Sequence, residues 1–270
     1  MTAEGEDAGR ATTAPPIVYT GPEELFGITG LRVDREHSFG AMRPGPPLDD
    51  GRLSAGALGV LIDDAMGYAM VIPRPEGHWA VSTEITLDVV GALDEATAVT
   101  AEAWAVQADS RSSYARCEVH DQRGRLLAVC SQRGRYVPIG DAGLGGTSEP
   151  SAAPSRASTL SGLISAERVD DGLELTASPG LQNALGMLHG GISICASDLA
   201  TAFALDEADL AGLRPSSIRI AYARPVTAGS RISYLPRLEH RGRSLAVIEV
   251  VGSIDGRVST LAQVIAHPRG

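Results

Sequence analysis

The chain of 270 residues is 43% hydrophobic and 21% charged, with a formal charge of −10. That much apolar content excludes wholesale disorder, because the surface it can bury offsets the chain entropy lost on folding. The acidic balance argues against a nucleic acid or an anionic membrane surface as partner.

No apolar run approaches the roughly 18 residues of a membrane span, and the polar, acidic opening MTAEGEDAGR is unlike a secretory leader. Cys117, Cys130 and Cys195 are odd in number, and their spacing matches neither a disulfide framework nor a zinc site. A cytoplasmic protein is therefore expected. Residues 1–16, polar and rich in Pro, Ala and Thr, are expected to lack fixed structure. A first folded unit is expected over 17–138. Its apolar stretch 54–72 has no internal Pro and is too long for an ordinary strand, so it reads as a helix buried on most faces. Strand-like runs follow near 80–90, 97–108, 112–121 and 125–137. Residues 139–162 carry almost no aliphatic side chain and read as a flexible linker. A second unit, 163–270, begins with a hairpin signal, Asp170-Asp171-Gly172. A second apolar helix is expected over 189–206, then strands near 217–224, 229–240, 243–254 and 257–267.

The two units repeat each other. LSAGALGVLIDDAMGYAM (53–70) lies over LHGGISICASDLATAFAL (188–205) without a gap, at an offset of 135. Leu53/Leu188, Gly56/Gly191, Asp63/Asp198, Ala65/Ala200 and Ala69/Ala204 are identical, and the same offset carries Ser82 onto Ser217 and Ile85 onto Ile220. Further on the offset drifts to 131 and then 132, as changes of loop length between strands produce. The chain is one unit written twice, each an α+β arrangement of a sheet wrapped around a central helix.

One constellation carries chemistry. In Asn183-Ala-Leu-Gly-Met-Leu-His189-Gly190-Gly191, the His-Gly-Gly stands where the second helix begins. Glycines there leave the first backbone N–H groups uncovered, and the helix dipole adds partial positive charge. Such a helix start suits an anion, or an oxyanion that forms in passing. His189 and Asp198 are nine residues apart, roughly 13–14 Å along a helix. A helix cannot bring its own carboxylate to its own N-terminus, so the acid must come from the other half: Asp63. That carboxylate and Asp64 sit in an apolar run, GVLIDDAMG, where a charge needs a partner or a job. The reciprocal pairing, Asp198 with Ser54-Ala55-Gly56, lacks the His-Gly pair and reads as degenerate.

The pattern N-x5-HGG-x6-D, followed by the Ser-containing strand and Arg-Pro turn of SSIRIAYARP, resembles the hotdog-fold acyl-CoA thioesterases. Its closest likeness is to the phenylacetate-pathway (PaaI-type) branch of the 4-hydroxybenzoyl-CoA thioesterase superfamily. The resemblance covers about 165–268 directly and 20–138 through the internal repeat. It implies a tandem, or double, hotdog: two long central helices wrapped by a continuous antiparallel sheet, an internal copy of the family's usual homodimer. It also implies that Asp63 activates water or attacks a thioester carbonyl directly. Gly190 N–H would receive the oxyanion, with Asn183 and His189 shaping the site. Gly191, Ser82, Asp64 and Asp198 are expected to complete the substrate site, and Arg241 and Arg243 to lie where CoA phosphates could bind. The implied substrate is an acyl-CoA, with no metal and no separate cofactor, and further homo-oligomerisation stays open. Two alternatives stand beside hydrolysis: a non-catalytic acyl-CoA sensor, and an acyl-CoA hydratase or dehydratase, although no Asp-x-Asn-x-x-His pattern is present. His37, His78, His120, His240 and His267 have no spacing partner and read as surface or internally satisfied residues.

Overall fold

The computed structural model describes residues 13–43, 53–141, 143–149, 157 and 159–268. The first half holds α1 (Gly21–Leu25), β1 (Ile28–Val33), β2 (His37–Met42), α2 (Gly59–Val71), β3 (His78–Val89), β4 (Val99–Ala108), β5 (Ser112–Asp121) and β6 (Leu126–Pro138). The second repeats that order with α3 (Leu160–Leu163), β7 (Glu167–Val169), β8 (Gly172–Thr176), α4 (Gly190–Glu207), β9 (Leu213–Tyr222), β10 (Arg231–Arg241), β11 (Ala246–Ile254) and β12 (Arg257–Pro268). The twelve strands form one antiparallel sheet, ordered β1-β2-β4-β5-β6-β3-β9-β12-β11-β10-β8-β7. The expected α+β tandem is what the chain forms.

The halves are joined in the sheet by β3 and β9, and here the repeat becomes geometry. Ile85 pairs with Ile220, the residue at offset 135, and Glu84↔Ala221 is mirrored by Thr86↔Arg219. A pseudo-two-fold axis therefore passes between Ile85 and Ile220. The central helices meet on the same axis. Every residue of α2 except Gly67 is buried, as expected of a helix that is apolar on nearly all faces. A Cβ added at Gly191 would lie 2.5 Å from the backbone of Gly59, and one at Gly59 2.5 Å from the carbonyl oxygen of Gly191. The glycines thus let two helix starts cross at a backbone separation that no side chain allows.

Three differences from the sequence reading have physical causes. The first helix begins in a 3-10 turn, Gly56–Leu58, and becomes α-helical at Gly59. The elements before it, α1 with β1 and β2, gave no strong periodicity because they are short; β1 alternates poorly and β2 contains Gly40. Part of the stretch expected to be a flexible linker is docked. Thr147 exchanges both backbone hydrogen bonds with Tyr19, Gly145 N–H donates to Ala184 O, and Leu160, inside the expected linker, is buried. An extended segment with unpaired backbone groups takes such partners whatever its side chains are. Residues 150–156 and 158, and residues 1–12 of the N-terminal stretch, lie outside the described residues.

Because the shared sheet and the helix crossing hold the halves together, a protease site engineered between residues 151 and 155 should be cut without separating them. The two fragments should co-elute in size-exclusion chromatography; elution as two independent species would contradict the shared core.

Candidate active site

Helix α4 starts at Gly190, with His189 as its N-cap in extended backbone conformation. Asp63, five residues into α2, reaches this helix start across the crossing. Its Oδ2 accepts from Gly191 N–H at 3.0 Å and lies 3.2 Å from His189 Nδ1. Its Oδ1 accepts from Ser82 Oγ and from Gln132 Nε2, each at 2.9 Å, while Gln132 Nε2 also donates to Ser82 Oγ at 2.6 Å. The pairing of one half's carboxylate with the other half's helix start is therefore present. A Cβ at Gly190 would lie 2.6 Å from Asp63 Oδ2, so glycine there makes room for the carboxylate rather than for a backbone twist. Gly190 O accepts from Tyr222 Oη at 2.8 Å, which fixes the orientation of that peptide. Among the described residues the Gly190 N–H has no acceptor, as is usual for a first helical turn.

His189 is buried between two carboxylates. Nε2 lies 3.1 Å from Asp64 Oδ1, and Nδ1 faces Asp63. Burial opposes a charge on the ring, yet the attraction of Asp64 and Asp63 outweighs it and raises the His189 pKa to about 10. At neutral pH the ring is cationic and donates from both nitrogens, so its contact with Gly191 N–H at 3.1 Å is a hydrogen bond only when the ring is neutral. Neither nitrogen is left over for a substrate. Asp64 is pushed up to about 7, by burial first and by the Glu23 charge second, against the pull of His189. Glu23 belongs to α1, where it closes a capping box with Thr20. Glu23, Asp64 and His189 bring one ligand atom each within 4.8 Å of one another. The carboxylates of this group stabilise the charged His189 ring.

A cavity of about 350 Å³ opens against these residues, lined by Asp63, Asp64, Ser82, Gln132, Asn183 and His189 among others. Asn183 shapes the approach. Its Oδ1 accepts from Leu185 N–H and Met187 N–H, and the turn it closes places Gly186 at φ +73°, a glycine conformation. Gly191, expected to touch substrate, is instead buried in the helix crossing and does not line the cavity. Arg241 and Arg243 are not at the site either: Arg241 closes the end of β10 and donates to Ala208 O, and Arg243 lies in the adjoining turn. The arginines that line the cavity are Arg135 and Arg224.

Asp198 sits at the pseudo-symmetric position. Its Oδ2 accepts from Gly56 N–H at 3.1 Å, matching Asp63 with Gly191. Ser54, in the place of His189, turns back to accept from Ala57 N–H at 3.2 Å as an ordinary helix cap. The second site keeps its carboxylate without the charge cluster.

Sequence reading missed Gln132, Glu23 and Tyr222. The signal for Gln132 was available: in β6 the inward positions run Cys130, Gln132, Gly134, so a polar side chain interrupts the buried face. Thr20-Gly-Pro-Glu23 is a capping-box pattern that shows the helix but not its neighbour across the chain.

No protein-family model matches the chain, and no curated protein matches it by sequence. Solved structures do match by shape. An acyl-ACP thioesterase from Bacteroides thetaiotaomicron is similar at a TM-score of 0.55 and 16% identity, over 86% of this chain and 98% of the other. The 12:0-ACP thioesterase from Umbellularia californica gives 0.58 and 13%, over 86% and 94%. The tesB protein of Mycobacterium avium subspecies paratuberculosis gives 0.59 and 14%, over 93% and 98%. The fold is a double hotdog. Within it, each central helix starts against the carboxylate of the other, and the His-Gly-Gly marks the start that carries the charge cluster.

The raised His189 pKa has a sign. Charge on the ring stabilises the double hotdog fully below its ordinary value of 6.5, and that contribution is lost as pH rises towards about 10. The difference in melting temperature between the natural protein and His189→Gln should therefore be largest at pH 6 and shrink towards pH 10. A difference that is constant across that range would contradict the buried ion pair.

Proposed function

We propose that the chain is a thioester hydrolase acting on an acyl-CoA or a related acyl-carrier thioester. The observation that carries this reading is the convergence of Asp63, Ser82 and Gln132 with the α4 start at Gly190 in the lining of one cavity. The similarity in shape to three thioesterases supports the reaction class.

The chemistry follows from the geometry. A water molecule in the cavity is held by the Asp63 carboxylate, which Gln132 Nε2 and Ser82 Oγ orient. The direction of the Gln132 amide is set by its neighbours, because its NH2 must face the carboxylate and Ser82 Oγ. Water oxygen attacks the thioester carbonyl carbon, and Asp63 takes the proton, acting as general base. The carbonyl electrons move onto oxygen, which is met by Gly190 N–H and the positive end of α4. His189, cationic and buried, adds positive charge beside this point without touching the substrate; it is a positioning residue. The tetrahedral intermediate then collapses, the C–S bond breaks, and the proton on Asp63 passes to the departing thiolate. The products are a carboxylic acid and the free thiol. The apolar part of the cavity, including Trp79, Val81 and Val137, takes the acyl group, and Arg135 and Arg224 are placed to meet phosphates of the carrier.

Free thiol released from a panel of acyl-CoAs tests the proposal. Asp63→Asn keeps size but removes the base, and should lower kcat by about 10²–10⁴-fold. Gln132→Ala should lower kcat by a smaller factor, and Asp198→Asn should leave turnover within about threefold. Melting curves recorded alongside must stay cooperative. Turnover that survives Asp63→Asn and disappears with Asp198→Asn would overturn the assignment of the two sites.

A further inference from the structure

The pseudo-two-fold axis places a second cavity opposite the first, and it is larger: about 510 Å³ against about 350 Å³. Its lining follows the first at the repeat offset. Asp198 stands for Asp63, Ala202 for Gly67, Phe203 for Tyr68 and Leu199 for Asp64. The cavity persists although the hydrolytic groups do not. Ser54, in the place of His189, is turned into a helix cap, and Ala262 stands opposite Ile220 where Gln132 stands opposite Ile85. The counterparts of His189, Asp64 and Gln132, which set the chemistry of the first cavity, are here Ser54, Leu199 and Ala262.

The changes at the walls are directional. On the helix side, Asp64 and Tyr68 of the first cavity become Leu199 and Phe203, and at the end of the neighbouring strand Arg224 becomes Val89, all apolar. On the β9 and β12 side, Trp79 and Val137 become Arg214 and His267, both able to carry positive charge. Asp94 and Asp206 also line the cavity. One wall now suits a hydrocarbon chain, while the Arg214 and His267 side suits an anionic head.

We propose that the second cavity binds an acyl chain bearing an anionic head, and holds it without hydrolysing it. The ligand is either an acyl-CoA or the free fatty acid, which share that chemistry. The proposal rests on the reading of the first cavity as an acyl-thioester site, since the comparison of walls starts from it.

Titration calorimetry with the non-hydrolysable thioether dodecyl-CoA and, separately, with dodecanoic acid tests it on the full chain. The natural protein should bind two equivalents of at least one probe at saturation. Ala202→Trp fills the second cavity and should reduce this to one while leaving thioester turnover within about twofold. Gly67→Trp fills the first cavity, where a Cβ meets nothing within 4 Å, and should leave one bound equivalent with turnover lost. If Ala202→Trp fails to fold, Val90→Trp at the exposed rim of the same cavity serves in its place. Two equivalents of the thioether identify an acyl-CoA ligand, and a second equivalent seen with dodecanoic acid alone identifies the free acid; either supports the proposal. A single equivalent of each probe that Gly67→Trp abolishes would overturn it while leaving the hydrolase reading intact. No binding of either probe, with no turnover, would overturn both.

Discussion

The structure depends on a crossing of two helix starts at glycine. Gly59 and Gly191 let α2 and α4 approach until a methyl group would strike backbone. At that separation, and at no larger one, a carboxylate five residues along α2 reaches the first free N–H groups of α4. The distance from His189 to Asp198 forbids a helix from supplying its own acid, so the site exists only because two copies share one axis. With both copies in one chain the two sites differ, and only the second half's helix start carries His-Gly-Gly where the first has Ser54-Ala55-Gly56.

Electrostatics explains why the surviving site is so acidic and yet stable. Three carboxylates, Glu23, Asp63 and Asp64, and one imidazole are all buried. Isolated charges in such a place would be neutralised by shifted pKa values. Asp64 is partly so, pushed up to about 7, while His189 is also raised, to about 10, which favours the charged ring. Asp63 is stabilised by four donors from three elements: Gly191 and His189 at the start of α4, Ser82 on β3 and Gln132 on β6. Removing one member of such a set leaves the others without partners, so truncation should cost more than the single contact suggests.

The large features of this arrangement were legible in the sequence because they are periodic or covalently constrained. Two long Pro-free apolar stretches gave the helices, and a constant offset gave the duplication. The length of a helix turn singled out Asp63 over Asp198 as the acid facing Gly190. What was not legible depends on contacts between segments far apart in the chain. Glu23 enters the site from α1, 41 residues before Asp64, and its capping pattern says nothing about its neighbour. Gln132 could be seen as a polar interruption of the inward face of β6, but its partners Asp63 and Ser82 come from α2 and β3 and were not visible in its strand. Arg241 and Arg243 were expected where CoA phosphates could bind, but the hairpin that carries them joins β10 and β11, beyond β12 from the junction of the halves. The linker composition concealed Thr147, because backbone pairing with Tyr19 needs no particular side chain.

The most direct measurement is a crystal structure of the chain with a non-hydrolysable acyl-CoA analogue that retains the carbonyl. The account predicts that the carbonyl oxygen lies within about 3 Å of Gly190 N–H, with its carbon facing Asp63 and Gln132. An analogue whose carbonyl sits beside Asp198, or points away from the start of α4, would contradict it.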